Sequence, residues 1–184
     1  VKTLHPKIHG GILARRGQDK AEMTANGVTP IDLVVVNLYP FEQVIRTTDT
    51  TLFDAIENID IGGPAMLRAG AKNHAEVTVV VDCEDYEIVL SELETLGGVS
   101  ADTRARLAAA AFSHTALYDG LISNYLTRDE GDCEFPDILN LQFKKCDPIR
   151  YGENPHQRAA FYQDRTPALG TPVSYTHLRA HETR

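Results

Sequence analysis

The sequence predicts an α/β fold, a parallel sheet flanked by helices. Two unbroken apolar runs predict it: IDLVVVNLY over Ile31–Tyr39 and VTVVVD over Val77–Asp82. Continuous Val/Ile/Leu stretches of strand length suit strands covered on both faces. A helical stretch opened by Pro64 lies between them, so strand–helix–strand is the natural unit, with a right-handed crossover. At 184 residues the chain is long enough for one well-cored domain, or one domain and part of another.

In chain order, DKAEMTANG reads as a short helix closed by Gly27 in a left-handed cap. TTLFDAIENI reads as a helix with Leu52, Ile56 and Ile59 on one face. EDYEIVLSELETL places Tyr86, Val89, Leu90 and Leu93 at helical spacing, and Gly97-Gly98 stops it. Ser100 then caps ADTRARLAAAAFSHTALYDGLISNYL, a long amphipathic helix that carries His114 as a partly buried residue. The pattern breaks at Thr127, where TRDEGDCEFPD is acidic and turn-rich. These readings set a first domain over residues 1–126, a linker over 127–147 and the start of a second α/β domain over 148–172. The extended segment ILNLQFKKCD begins something new, and the residues after it are too few to finish a domain. The last stretch, VSYTHLRAHETR over 173–184, resembles a translated sequencing adapter and is expected to be non-native.

Composition excludes several function classes. Hydrophobic residues at 42% and charged residues at 24% are those of an ordinary globular protein. A formal net charge of −8 argues against a nucleic-acid surface, which needs a basic stripe. No apolar run approaches the roughly 20 residues that cross a bilayer, so no membrane partner is expected. The start has neither a signal-peptide core nor an initiator Met, which suggests a fragment. Cys83, Cys133 and Cys146 form no C-x-x-C pair and read as small semi-buried thiols suited to a reducing cytoplasm.

Four stretches carry groups that packing alone does not require. In DIGGPAMLRAGAKNH, Gly62 and Gly63 permit close approach or positive φ, and Pro64 suits a first helical turn. The free amides of that turn suit an anion or a polar ring edge, and Lys72 stands where the helix frays into Asn73-His74. A Gly-Pro helix start with a solvated Lys is the plainer account, and the residues alone leave both open. In VVVNLYPF, Asn37 and Tyr39 fall at the carboxyl end of a strand stopped by Pro40, the edge where ligands bind in open α/β sheets. The Asn37 amide suits a purine-like or carboxamide edge, although turn chemistry explains it too. In VKTLHPKIHGG, the groups of Lys2, Thr3, His5, Lys7 and His9 precede Gly10-Gly11, as a phosphorylated ligand would want. Pro6 argues against the helix that a His5/His9 metal pair requires, and no metal site is expected. In IRYGENPHQRAAFY, Arg150 suits a bidentate phosphate contact and Tyr151 stacking or donation, among the turn formers Gly152, Asn154 and Pro155.

In this order, VKTLHPKIHGGIL, VVVNLYPF, NIDIGGPAMLRAGAKNH and RYGENPHQ resemble the bifunctional purine-biosynthesis enzymes, phosphoribosylaminoimidazolecarboxamide formyltransferase joined to IMP cyclohydrolase. The resemblance covers residues 1–172. It implies that residues 1–126 are the later part of a cyclohydrolase domain of methylglyoxal-synthase-like fold, and that a formyltransferase domain opens near residue 148. The family's N-terminal phosphate-contacting turns and most of the transferase are missing, so the piece is expected to be inactive alone.

The implied chemistry is ring closure: a carboxamide nitrogen attacks a formyl carbon and water leaves. An amide is a poor nucleophile, so the step needs charge stabilisation on the formyl oxygen and a proton for the departing hydroxyl. By alignment with the family, Lys72 is the proton donor/acceptor, while Lys2 and Thr3 belong to the nucleotide-binding turn. Asn37 touches the base, Tyr39 supplies a supporting hydroxyl, and Asp60 and Ile61 form the loop against the ring. Lys2, Tyr39, Asp60 and Lys72 are thus the implied catalytic set. Asp60 and Lys72 would bracket the closing ring at one mouth facing the Lys2 turn, with Gly62 and Gly63 admitting it. Arg150 and Tyr151 align with nucleotide contacts of the transferase, and His156 carries no assigned role. No bound cofactor is implied. 10-Formyltetrahydrofolate is the cosubstrate, purine-precursor nucleotides and IMP are the small-molecule partners, and the full-length protein is a homodimer. The alternative is a non-catalytic nucleotide-binding regulatory module on the same fold. The attached RYGENPHQ start favours the enzyme.

Overall fold

The computed structural model describes residues 3–128, 136–149 and 159–164. They fall into two compact units, one ending at Ile138 and the other starting at Leu139.

In the first unit the two apolar runs meet as a parallel pair. β1 (Leu33–Val35) and β2 (Thr78–Val80) align Leu33 with Thr78 and Val35 with Val80. Bonds from Thr78 N–H to Asp32 O (2.8 Å) and Val36 N–H to Val80 O (3.1 Å) continue the ladder beyond each end. The period-2 alternation of side chains then sorts the core. Val77, Val79 and Val34 pack on one face against α5 (Gly62–Lys72), through Leu67, Ala69 and Ala71. Val80 points the other way, onto Val89 of α6 (Tyr86–Leu96) and Leu107 of α7 (Ala101–Leu126). Cover on both faces, expected for both strands, holds only for β2: Leu33 and Val35 are 43% and 48% exposed. Among the described residues, Val89 of α6 and Leu107 of α7 pack on Val80 of β2.

Pro6 does not prevent a helix; it starts one. α1 (Pro6–Leu13) has Pro at its first position, where a missing N–H leaves nothing unsatisfied. His5 is its N-cap, with Nδ1 accepting from Lys7 N–H at 3.2 Å. α1 packs on α5, and its last carbonyls are tied down: Asn73 Nδ2 donates to Ile12 O (2.8 Å) and Ala14 O (3.2 Å). α2 (Lys20–Ala25) follows, closed by Gly27 at φ 58° as its sequence predicts.

After β1 come α3 (Phe41–Ile45), which sequence reasoning missed, and α4 (Leu52–Glu57). α4 is fixed at its start by a capping box between Thr51 and Asp54. Its buried residue is Ala55; Leu52 and Ile56, expected on one face with Ile59, are exposed. α6 likewise buries Val89 but leaves Leu90 and Leu93 exposed, and ends on Gly97 at φ 70°. The Ser100 cap of α7 is present, its hydroxyl accepting from Thr103 N–H at 3.2 Å.

Glu92 of α6 joins the two helices across that cap. Its carboxylate accepts from Ser100 N–H (2.7 Å), Ser100 Oγ (3.1 Å) and Thr103 Oγ1 (2.7 Å). The Thr103 and Ser100 bonds favour the ionised form and hold this carboxyl below its ordinary range. The resulting stabilisation is present above the unfolded-state pKa of Glu92 and is lost as the pH falls through the lower folded-state value. Glu92→Gln is therefore expected to weaken the acid-range pH dependence of stability, measured by urea denaturation across the acid range, with little change in slope near neutrality.

In the second unit, β3 (Phe143–Ile149) pairs antiparallel with β4 (Ala159–Asp164), with a register irregularity at Cys146. β3 begins inside the stretch assigned to the linker, in the segment read as extended, and the AAFY segment is strand. Cys83 is exposed rather than semi-buried, and Cys146 is half-buried.

Candidate functional site

The carboxyl end of β1 and the start of α5 meet over one apolar cluster. Phe41 packs edge-on against Tyr118 (6.2 Å between ring centres) and Tyr125 (5.6 Å), with Leu38, Ala55 and Ile59 around them. This cluster anchors both loops on α7: the Asn37–Pro40 turn through Leu38 and Phe41, and the Asn58–Ile61 turn through Ile59. The sheet end carries Asn37, exposed, and Tyr39, half-buried, in the turn that shares this cluster with the Asp60 turn.

Asp60 is 7% exposed. Its Oδ1 accepts from Gly63 N–H at 2.9 Å, satisfying an orphan donor of the first turn of α5. Its own N–H donates to the Tyr118 hydroxyl at 2.7 Å, and that hydroxyl donates to Asn58 O at 3.4 Å. Burial pushes the Tyr118 phenol up; the Asp60 N–H bond opposes the shift and the Asp60 charge adds to it.

This geometry removes the positive-φ role offered for the glycines and gives Gly63 a packing role. Neither Gly62 nor Gly63 has positive φ, and both are buried. A Cβ on Gly63 would stand 2.7 Å from both Asp60 Oδ2 and Leu38 Cδ2, so the glycine makes room for its own chain, not for a ring. The helix start is also occupied: the Asp60 carboxylate holds the Gly63 amide and repels a second anion there. Ile61, 58% exposed, is the part of this turn open to a ligand.

Lys72 does not join the cluster. α5 runs unbroken from Gly62 to Lys72, about 15 Å at the usual rise per residue, so the Lys72 side chain starts from the opposite end. An approach of its ammonium to the Asp60 turn is made by the long side chain, back along the helix. The neighbours of Lys72 are structural. Asn73 caps α1, and His74 Nδ1 lies 3.1 Å from Ala71 O at the end of α5.

Thr3 bonds locally, its hydroxyl accepting from His5 N–H (3.1 Å) and its carbonyl lying 3.3 Å from His9 Nε2. The two histidines thus have backbone partners, and among the described residues no group of side chains could hold a metal ion. No helix among them is long and apolar enough to cross a membrane. Lys2, Arg150, Tyr151, His156, Cys133 and the 173–184 stretch lie outside the described residues.

Sequence reasoning missed Tyr118. Its seven-residue spacing from Tyr125 on one helix face marks both as buried, but nothing local reveals the reach to Asp60.

The chain is 55% identical over 181 residues to the bifunctional purine biosynthesis protein PurH of Halalkalibacterium halodurans, covering 97% of this chain and 35% of that protein. It thus spans about a third of the length of this curated relative. The crystal structure of ForH superposes with a TM-score of 0.59 at 39% identity, over 68% of this chain and 67% of that one. A family model, AICARFT/IMPCHase bienzyme, matches residues 70–181, which includes most of the stretch expected to be foreign. Since that match runs from the end of α5 through α7 to the β3–β4 hairpin, across both units, the chain belongs to the AICARFT/IMPCHase bienzyme family.

Proposed function

We propose that this chain is a segment of a bifunctional enzyme of the last two steps of purine nucleotide synthesis. The steps are formyl transfer from 10-formyltetrahydrofolate to the aminoimidazolecarboxamide ribonucleotide and dehydrative ring closure to IMP. The first unit is the later part of the cyclohydrolase domain, of methylglyoxal-synthase-like fold, and the hairpin opens the transferase. The complete protein is a cytoplasmic homodimer that binds purine-precursor nucleotides, and this segment alone is inactive.

One observation carries the reading: a buried carboxylate, Asp60, in a turn that shares an apolar cluster with the Asn37–Pro40 turn at the carboxyl end of a parallel strand. That edge is where α/β sheets bind ligands, and a preorganised carboxylate can take up and return a proton as the ring closes. Asn37 meets the carboxamide or base edge, Tyr39 offers its hydroxyl, Ile61 covers the ring, and Gly62 and Gly63 shape the turn. Lys2 and Thr3 bind the nucleotide, as do Arg150 and Tyr151 in the transferase half. Lys72 serves as proton donor/acceptor at the closing ring.

The test is ring closure of the formylated nucleotide, followed by absorbance with the complete bienzyme. Lys72→Ala is expected to abolish turnover while retaining IMP binding. Unchanged turnover removes Lys72 and leaves the chemistry with Asp60 and Tyr39. Nucleotide binding by the unmodified protein without any turnover replaces the enzyme reading with a regulatory module.

A further inference from the structure

We infer that Tyr118 is a positioning residue for ring closure: its buried hydroxyl fixes the Asp60 turn from a helix 58 residues further along the chain. The inference rests on the proposed role of Asp60.

The hydroxyl does two things at once. It accepts from Asp60 N–H at 2.7 Å and donates to Asn58 O at 3.4 Å, so one atom ties both sides of the turn. The Asp60 side chain is held in turn by Gly63 N–H, and the absence of a Cβ at Gly63 leaves its carboxylate the space it fills. Tyr118 cannot give way easily, because it is 7% exposed and locked against Phe41. Phe41 also carries the chain leading from Tyr39, its N–H donating to Tyr39 O at 2.7 Å. Tyr118 thus holds Asp60 directly and sets the Tyr39 turn through a ring contact. A phenol suits this role because it is a rigid arm long enough to reach from helix to loop, with a hydroxyl that accepts and donates together. Displacing a reacting group by an ångström can slow a reaction about a hundredfold without unfolding anything.

Tyr125 supplies an internal control. It lies in the same cluster and packs on the same Phe41, but its buried hydroxyl has no hydrogen-bond partner among the described residues. Tyr118→Phe and Tyr125→Phe each delete one buried hydroxyl from one aromatic cluster, and only the first releases Asp60.

Both variants, with Asp60→Asn as reference, are to be made in the complete bienzyme and assayed for kcat and KM of ring closure well below their melting temperatures. Tyr118→Phe is expected to lower kcat by about ten- to hundredfold with KM changed far less, and Tyr125→Phe to leave both nearly unchanged. Equal losses in the two variants, or a Tyr118→Phe enzyme with normal kcat, overturn the inference. If Tyr118→Phe is normal while Asp60→Asn is impaired, the site reading survives and only the positioning role falls; normal turnover in Asp60→Asn removes both. Should Tyr118→Phe fail to fold, amide hydrogen exchange in the unmodified protein decides. An Asp60 amide protected like those of β2 supports the inference, and one exchanging at loop rates overturns it.

Discussion

Replacing Asp60 with alanine is expected to lower the stability of the first unit by about 1–3 kcal/mol, the cost of leaving a buried donor unsatisfied. The donor is the Gly63 N–H, from which the carboxylate accepts at 2.9 Å between two buried residues. Asparagine separates charge from hydrogen bonding at this position. Its carbonyl can still accept from Gly63, so Asp60→Asn should forfeit only the attraction between a carboxylate and the N-terminal end of α5, about 0.3–1 kcal/mol. Urea denaturation of the two variants measures this difference. In the complete bienzyme the order changes: both substitutions remove the proton-handling group, and both are expected to slow IMP formation by about 10²–10⁴. A stability ranking of wild type, Asn, Ala set against equal losses of turnover is what a residue with two roles gives. An Asp60→Asn enzyme with full turnover would leave the residue as a helix cap and nothing more.

What was legible in the sequence is what is decided locally. Ser100 capping α7 and Gly27 and Gly97 closing their helices depend on neighbours within one turn, and the structure shows each of them. β2 was legible because its residues are buried on both faces, so every side chain reports the same environment. β1 was only half legible. Its Leu33 and Val35 read as core although the described residues leave them exposed, because hydrophobicity records a preference for burial and not the neighbour that provides it.

At the site the pattern repeats. Asn37, Tyr39 and Asp60 were visible as chemistry at a strand end, and the chain does bring those turns together on one cluster. Gly63 looked like space for a ligand because the groups that fill the space, Asp60 and Leu38, are recognisable only after folding. The separation of Lys72 from Asp60 was available from arithmetic, since an uninterrupted helix between them fixes a length. Tyr118 was beyond reach because its partner stands 58 positions away and no periodicity links them.

The Gly10-Gly11 pair allows this distinction between packing and ligand space to be tested with opposite signs in adjacent residues. Both lie inside α1, where an alanine is worth up to about 1 kcal/mol more than a glycine through backbone entropy alone. A Cβ on Gly10 would meet Val28 Cγ1 at 3.4 Å, an ordinary contact, so Gly10→Ala is expected to be neutral or stabilising by up to that amount. A Cβ on Gly11 would stand 2.4 Å from the Thr29 carbonyl oxygen, a backbone atom that no rotamer change can move aside. Nor can α1 retreat, because the Gly11 carbonyl accepts from Ile31 N–H and from Arg16 Nη1, both at 3.1 Å. Gly11→Ala is therefore expected to destabilise by about 1–3 kcal/mol or more, as overpacking does, with the helix-propensity gain offsetting only part. Thermal melts of the two single variants check this directly. If the pair instead cradles a phosphate, both alanines should weaken nucleotide binding alike and neither should unfold the chain. A split in stability between two neighbouring glycines is something a ligand cradle does not produce and a close approach of α1 to the Thr29–Ile31 segment does.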